Sequence, residues 1–351
     1  MSATAEARLG LVKVFDLAAK AAAEDRVEEA ERLYRLLMKG GPTPEVYRNL
    51  AVLLDRHERY DEAEQLLREA HARWPEDRPT AWFLGIALLA RGAWEEAWPL
   101  YHQQETRGSW APRLSYPEWE GGPVKSLLVL PDQGLGDQIQ FARFIPVLVQ
   151  RGIAVTLFCQ PKLARLFAGL GAKVLPAEGS ASVPRHDAWT ILSALPWRLG
   201  VTPETIPNAP YLPGKSGGSG IGVAVRGNPI HTRDRWRSLP PDMAAELLAL
   251  PGARSLHPED TGAQDMEDTR RIVADLERVI TVDTAVAHLA GAMGKPVWLL
   301  SPAAADWRWL RGRTDSPWYP TLRIFRQHRP GDWKSALDDV RRALAEEGSA
   351  A

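Results

Sequence analysis

The spacing of apolar positions changes character near residue 108. Before it, apolar and small residues recur three and four apart, the period of a helix with one buried face. The pattern also repeats on a longer scale. Ala30, Ala63 and Ala97 lie 33 and 34 residues apart, and each follows an acidic pair: Glu28-Glu29, Asp61-Glu62 and Glu95-Glu96. Four residues after each alanine stands a large apolar side chain, Tyr34, Leu67 or Tyr101. Pro42 and Pro75 close the first two units, and Leu17-Ala18, Leu50-Ala51 and Leu84-Gly85 hold matching places on the preceding helices. Small residues there let antiparallel helices approach closely, and the larger side chain fills the space one turn on.

These in-phase positions resemble the tetratricopeptide repeat, with three units over about residues 11–108 inside a first domain of 1–108. Such repeats stack into a superhelix whose concave face takes a peptide or protein segment. A structural extension or a dimerisation surface fits the same pattern, since fold alone names no ligand. Trp82, Trp94 and Trp98 suit either the repeat core or the anchoring of a partner.

Residues 109–123 carry Pro112, Pro117, Gly121 and Gly122 without helical period and read as a linker. Strand and helix patterns then alternate: strands at 126–131, 153–158 and 173–175, helices at 137–151 and 161–170. A Gly-rich break at 214–220 reads as a flexible linker. Beyond it come strands at 221–225, 254–256, 278–282, 296–300 and 322–325, with helices at 241–250, 268–276, 284–293 and 333–347. Alternation of this kind predicts parallel sheets. The expected fold class is therefore an α-solenoid followed by an α/β region of two Rossmann-like halves, 124–213 and 221–351. The last helix is read as packing back on the first of these halves. In such sheets ligands bind beyond the carboxyl ends of the strands, so the loops there should hold the chemistry.

Composition narrows the classes. Among 351 residues, 43 Lys and Arg against 44 Asp and Glu give a formal net charge of −1, without the basic excess of a nucleic-acid binder. No apolar run reaches the length of a transmembrane helix. The opening stretch lacks the basic-then-apolar order of a signal peptide, so a cytoplasmic location is expected. Cys159 is the single cysteine, which excludes an internal disulfide and a cysteine-built metal site.

Residues 281–300, TVDTAVAHLAGAMGKPVWLL, and 134–146, GLGDQIQFARFIP, closely resemble the heptosyltransferase-like group, glycosyltransferase family 9. In particular they resemble bacterial proteins that fuse tetratricopeptide repeats to that module. The stretch DWRWLRGRTDSPWYPTLRIFRQ at 306–327 and Arg226-Gly227-Asn228-Pro229 fit the fused subgroup. The resemblance spans essentially the whole chain. It implies a GT-B fold with the acceptor on the first half and a nucleotide-sugar donor on the second, used as substrate with no metal or other cofactor.

For the donor, the strand ending before Asp283 runs into a helix at Thr284 whose first amides are unsatisfied, a setting suited to a diphosphate. Thr284 and His288 lie four apart on one helical face. Ala285 stands where the family often has glycine. Alone, Asp283 also reads as a helix cap and His288 as a packed interfacial histidine. The loop after the first strand of this half carries Arg226, Asn228, His231, Arg233, Arg235 and Arg237. Its arginines suit a diphosphate or simply face water. The resemblance puts a phosphate-binding basic residue at Arg235 or Arg237 and adds Asn228 to the donor set. Asp306 and Trp307 follow the strand at 296–300, where an aromatic ring either stacks on a base or plugs the core.

For catalysis, Asp137 opens the helix after the first glycine turn. Its local reading is a cap; the resemblance makes it the general base that accepts the acceptor's proton. Together these give a metal-independent, inverting glycosyltransferase, its acceptor a protein or peptide recruited by the repeats, or a glycan, with room for an oligomer. The rival is a non-catalytic scaffold or sugar-nucleotide-binding interaction protein. It draws on the segment 257–265, which is short for the fused subgroup.

Overall fold

The computed structural model describes residues 3–103, 114–178, 185–230 and 234–349. The chain forms two compact units, Met1–Pro112 with Asp306–Arg311, and Arg113–Ala305 with Gly312–Ala351.

The first unit holds three antiparallel helix pairs: α1 (Ala3–Ala23) with α2 (Val27–Gly40), α3 (Pro44–Arg56) with α4 (Tyr60–Arg73), and α5 (Arg78–Arg91) with α6 (Trp94–Tyr101). Thr43 caps α3 by accepting from the Val46 N–H at 3.3 Å, and Asp77 caps α5 by accepting from Thr80 N–H at 2.9 Å. A proline opens the first turn of each, where its missing N–H costs nothing. Ala30, Ala63 and Ala97 are buried, as are Tyr34, Leu67 and Tyr101. Gly85 shows why its place needs a small residue: a Cβ there would lie 2.5 Å from the Tyr101 backbone nitrogen. Leu50 and Leu84 are buried, but Leu17, their counterpart in the first pair, is exposed. Trp94 and Trp98 belong to the core, while Trp82 is half-buried.

A short segment from late in the chain, Asp306–Arg311, completes this unit. Asp306 caps a 3-10 turn, Trp307–Trp309, by accepting from the Arg308 N–H at 3.1 Å. Trp307 packs edge-on against Trp94, Trp98 and Tyr101, with ring centroids 6.4, 5.6 and 5.8 Å away. Arg311 then donates from its backbone to Ala90 O at 2.9 Å and from its side chain to Asp55 at 2.8 Å. Of the two readings of this ring, a base stack or a core plug, the contacts match the plug: it fills the third helix pair.

The second unit contains two all-parallel sheets. The first half orders β1 (Ser126–Leu130), β2 (Ala154–Cys159), β3 (Lys173–Pro176) and β4 (Ala188–Ile191) as β3-β2-β1-β4. Its two longest helices are α7 (Leu135–Ala142) and α8 (Phe144–Gln150), one continuous helix in the sequence pattern but divided at Arg143. Pro146 removes a donor from the ladder just there. The predicted 161–170 helix is a short 3-10 turn, Pro161–Leu163, leading into Ala164–Phe167. The second half orders β5 (Ile221–Ala224), β6 (Ala253–Ser255), β7 (Arg278–Val282), β8 (Val297–Ser301) and β9 (Leu322–Arg326) as β6-β5-β7-β8-β9. Around it lie α9 (Pro241–Leu248), α10 (Met266–Ala274), α11 (Ala285–Ala292) and α12 (Trp333–Ser349).

Three expectations change. The final helix α12 does not return to the first half: Trp333, Ala336, Leu337, Val340 and Ala343 join Val223, Ile280, Leu300 and Phe325 in the core of the second. The 214–220 stretch is seated and not free. A Cβ on Gly218 would lie 2.4 Å from Leu276 O, and the buried Lys295 donates to Gly217 O and Leu276 O, both at 2.7 Å. Of the 109–123 linker, residues 114–123 are described, and Trp119 within them is buried. Trp119 exchanges backbone hydrogen bonds with the edge strand β4, donating to Trp189 O at 2.7 Å while Trp189 donates to Pro117 O. The remainder of that linker lies outside the described residues.

Replacing Trp307 with alanine should empty the aromatic cluster and cost about 3 kcal/mol or more. The loss is read as a lower urea midpoint of helical circular dichroism; an unchanged midpoint would mean that the segment merely rests on the repeats.

Candidate functional site

Both sheets reverse their strand order in ways that open a crevice, beside β1 in the first half and between β5 and β7 in the second. The Gly134 turn follows β1, and the Asp283-Thr284 turn follows β7.

In the first half, Gly134 is the N-cap of α7, and Asp137 accepts from its backbone N–H at 3.0 Å. This is the return arm of a capping box, so the local reading of Asp137 holds in part. The carboxylate is half-buried. The loop before it is clamped by amides: Gln138 and Gln160 both donate to Gln133 O, at 2.8 and 3.0 Å. Asp132 accepts from the Ser193 backbone at 3.2 Å and from its hydroxyl. Sequence reasoning passed over Asp132 and Ser193, because β4 was too short to stand out.

In the second half, Thr284 is the N-cap and Ala285 the first residue of α11. The Thr284 hydroxyl lies 3.3 Å from that of Thr281. Arg237 donates to Asp283 O at 3.0 Å and pairs with Asp234 at 3.1 Å, which ties the arginine loop to the turn before α11. Gly227 permits that approach, since a Cβ there would meet Arg237 Nη2 at 2.5 Å. Arg235 lies over Trp236 at 4.1 Å and is exposed. Asn228 closes its own turn by accepting from Ile230 N–H at 3.1 Å. Arg226 is engaged with Glu259, while His231 and Arg233 lie outside the described residues. In the short 257–265 segment, burial, with the Arg226 charge adding, lowers the His257 pKa; its Nε2 accepts from Val225 N–H at 3.2 Å.

His288 matches the packed interfacial reading of its ring. It is 4% exposed, and its Nδ1 lies 3.0 Å from the Tyr319 hydroxyl, so the ring joins α11 to the loop before β9. The same ring touches the first half. A Cβ on Gly136 would stand 2.9 Å from His288 Cδ2 and 3.4 Å from Ala285 Cα. The first turn of α7, with Asp137, and the first turn of α11 therefore meet at van der Waals distance. The buried Tyr319 and the half-buried Tyr211 lie behind them; desolvation raises both phenol pKa values, Tyr319 well above the ordinary value, and Arg143 acts in the opposite sense. Asp306 and Trp307 are not part of this group, being held within the repeat unit.

No family model matches the sequence. Protein FlbA of Caulobacter vibrioides is 26% identical over 335 aligned residues, which cover 77% of this chain and 56% of that protein. The chain thus spans little more than half the length of this curated relative. Among solved structures, E. coli heptosyltransferase WaaC with ADP-2-deoxy-2-fluoro heptose is 14% identical, with a TM-score of 0.43 over 63% of this chain and 99% of that one. A mutant form of the O-GlcNAc transferase of Thermobaculum terrenum is 15% identical, with a TM-score of 0.28 over 88% of this chain and 84% of that one.

Gly136→Val should push α7 and α11 apart and destabilise the second unit by about 1–3 kcal/mol. Thermal unfolding followed by tryptophan fluorescence tests this, and a parental midpoint would show that the contact is soft.

Proposed function

We propose that the chain is a glycosyltransferase that moves a sugar from a nucleotide-activated donor to an acceptor without a metal and with inversion. One observation carries the reading: the Asp137 turn and the Asp283-Thr284 turn, the two motifs of the family resemblance, meet at the carboxyl ends of β1 and β7. The diphosphate lies at the first amides of α11, where the helix dipole favours an anion. Thr284 adds a hydroxyl, and Arg237 a guanidinium already anchored beside that turn. Ala285 supplies an amide; Asn228 and Arg235 flank the site from the exposed loop. His288 shapes the site from beneath and does not touch phosphate.

The acceptor hydroxyl gives its proton to Asp137 as its oxygen attacks the anomeric carbon from the face opposite the diphosphate. The bond to the leaving oxygen breaks, and its electron pair departs with the nucleoside diphosphate, where the α11 amides and Arg237 stabilise it. Asp137 holds its orientation through the Gly134 amide, so the base is preorganised by its own helix cap. The acceptor, on this reading, is a protein or peptide gathered by the helical repeats, whose binding raises its local concentration.

The scaffold reading keeps one observation in its favour: 257–265 forms only a single short turn, Pro258–Thr261, so little of the chain walls the second half there. Two measurements separate the readings. Asp137→Asn preserves an oxygen for the Gly134 cap but removes the base, so turnover should fall ~100-fold or more with donor affinity unchanged. Parental turnover in this variant would reduce Asp137 to a cap. A thermal-shift screen of ADP-, UDP-, GDP-, CMP- and dTDP-sugars should find one stabilising donor. Thr284→Val with Arg237→Met should then weaken that donor's nucleoside diphosphate ~10-fold or more; undiminished binding would move the donor elsewhere.

A further inference from the structure

Arg143 sits where α7 gives way to α8 and is 2% exposed. Its Nε donates to Gln140 O at 2.8 Å, on its own helix. Its Nη1 crosses to the second half, donating to Trp318 O at 2.6 Å, and reaches Pro207 O at 3.4 Å. Three rings surround it, with Tyr319, Tyr211 and Trp318 centroids 4.6, 5.1 and 5.1 Å from the guanidinium carbon. Among the described residues no carboxylate pairs with it, and its charge acts on the Tyr211 and Tyr319 phenols beside it. One turn earlier, the fully buried Gln140 leaves both amide atoms without a partner. A buried cation without a counter-charge is costly, and ring faces and carbonyls recover only part of that cost. A site kept so charged for packing alone would be better filled by an apolar side chain.

The rings that enclose Arg143 also hold α11. Tyr319 meets His288 Nδ1 through its hydroxyl and lies flush on Gly291, where a Cβ would stand 2.5 Å from Tyr319 Cγ. Tyr211 donates its hydroxyl to Ile139 O on α7 at 2.6 Å, while the backbone amides of Tyr211 and Leu212 donate to Ala292 O at the far end of α11. Arg143 therefore lies at the centre of a ring of contacts that ties α7 to α11 at both ends. Directed hydrogen bonds to Gln140 O on α7 and Trp318 O in the loop before β9, with three ring faces closing around the guanidinium, hold these two segments at a set spacing.

We propose that Arg143 is a positioning residue, a pivot between the two halves that sets how closely the Asp137 turn of α7 approaches the Thr284 turn of α11 when sugar is transferred. This rests on the transferase reading above, but its physical core does not. Without the pivot the two turns lose their register, and a misplacement of about 1 Å between reacting groups costs up to ~100-fold in rate. Nucleotide binding, which belongs to α11 and its loop, is spared.

The test compares Arg143→Met and Arg143→Lys with the parental chain by hydrogen exchange at amides 285–292, by donor nucleotide titration and by transfer kinetics. Faster exchange across 285–292 is expected in the methionine variant, with kcat down ~10–100-fold and nucleotide affinity within about 2-fold. The lysine variant, which keeps the charge between the rings, should recover part of both. Parental exchange and parental kcat in a folded Arg143→Met chain would overturn the proposal, as would equal losses in kcat and nucleotide affinity. If the methionine variant does not fold, the lysine variant decides by the same measurements. Should the parental chain transfer no sugar from any donor, the transferase reading falls, and exchange at 285–292 alone decides the pivot.

Discussion

The second unit turns on one close approach, the first turn of α7 against the first turn of α11. It is possible because Gly136 has no side chain and Ala285 almost none, so that His288 lies directly under the glycine. Everything of chemical interest is a neighbour of this contact. Asp137 follows Gly136, Thr284 precedes Ala285, and Arg237 reaches the carbonyl just before Thr284. Two sheets with separate cores acquire a shared edge because two helix starts are bare enough to touch. The arginine and aromatic cluster behind that edge links the same two helices.

The sequence pattern revealed much of this architecture, and physical reasons account for the rest. Long periodic signals were legible: the paired repeat helices, and strands such as Arg278–Val282 whose apolar run is bounded by charged residues and a helix cap. The strand Ala188–Ile191 was not, because so short a run carries no measurable period and holds its place only by pairing with β1. Gly-rich 214–220 looked like a hinge because glycine marks both flexible chain and tight approach; here the approach is what several of them serve. Of the candidate site, Asp137, Thr284 and Arg237 came from motif and helix-cap logic. Arg143 and Tyr319 were hidden, since an arginine inside FARFIP and a tyrosine after tryptophan reveal their meeting only once the chain has folded across some 175 residues.

Trp307 shows that a strand-end position leaves two roles open. It follows β8 at the carboxyl end of a parallel strand, the usual place for ligand contacts, yet its ring is spent on Trp94, Trp98 and Tyr101. The rule about strand ends concerns where loops begin, and the loop from Ser301 to Trp307 ends in a side chain that belongs to another core. Part of the tryptophan content has the same explanation: these rings close a helix pair that ordinary repeat residues would leave open.

The embedded segment Asp306–Arg311 also bears on the order in which the protein assembles. The ion pair between Asp55 and Arg311 spans 256 positions, and the Trp307 contacts span more than two hundred. A helical array built from near neighbours would ordinarily settle as soon as it left the ribosome, since local contacts form fastest. Here the third helix pair waits for residues made after most of the chain, its tryptophans uncovered in the meantime. Completion of the repeats is thereby coupled to completion of β8, the strand that delivers the segment, and the array becomes whole only when most of the second sheet has been synthesised.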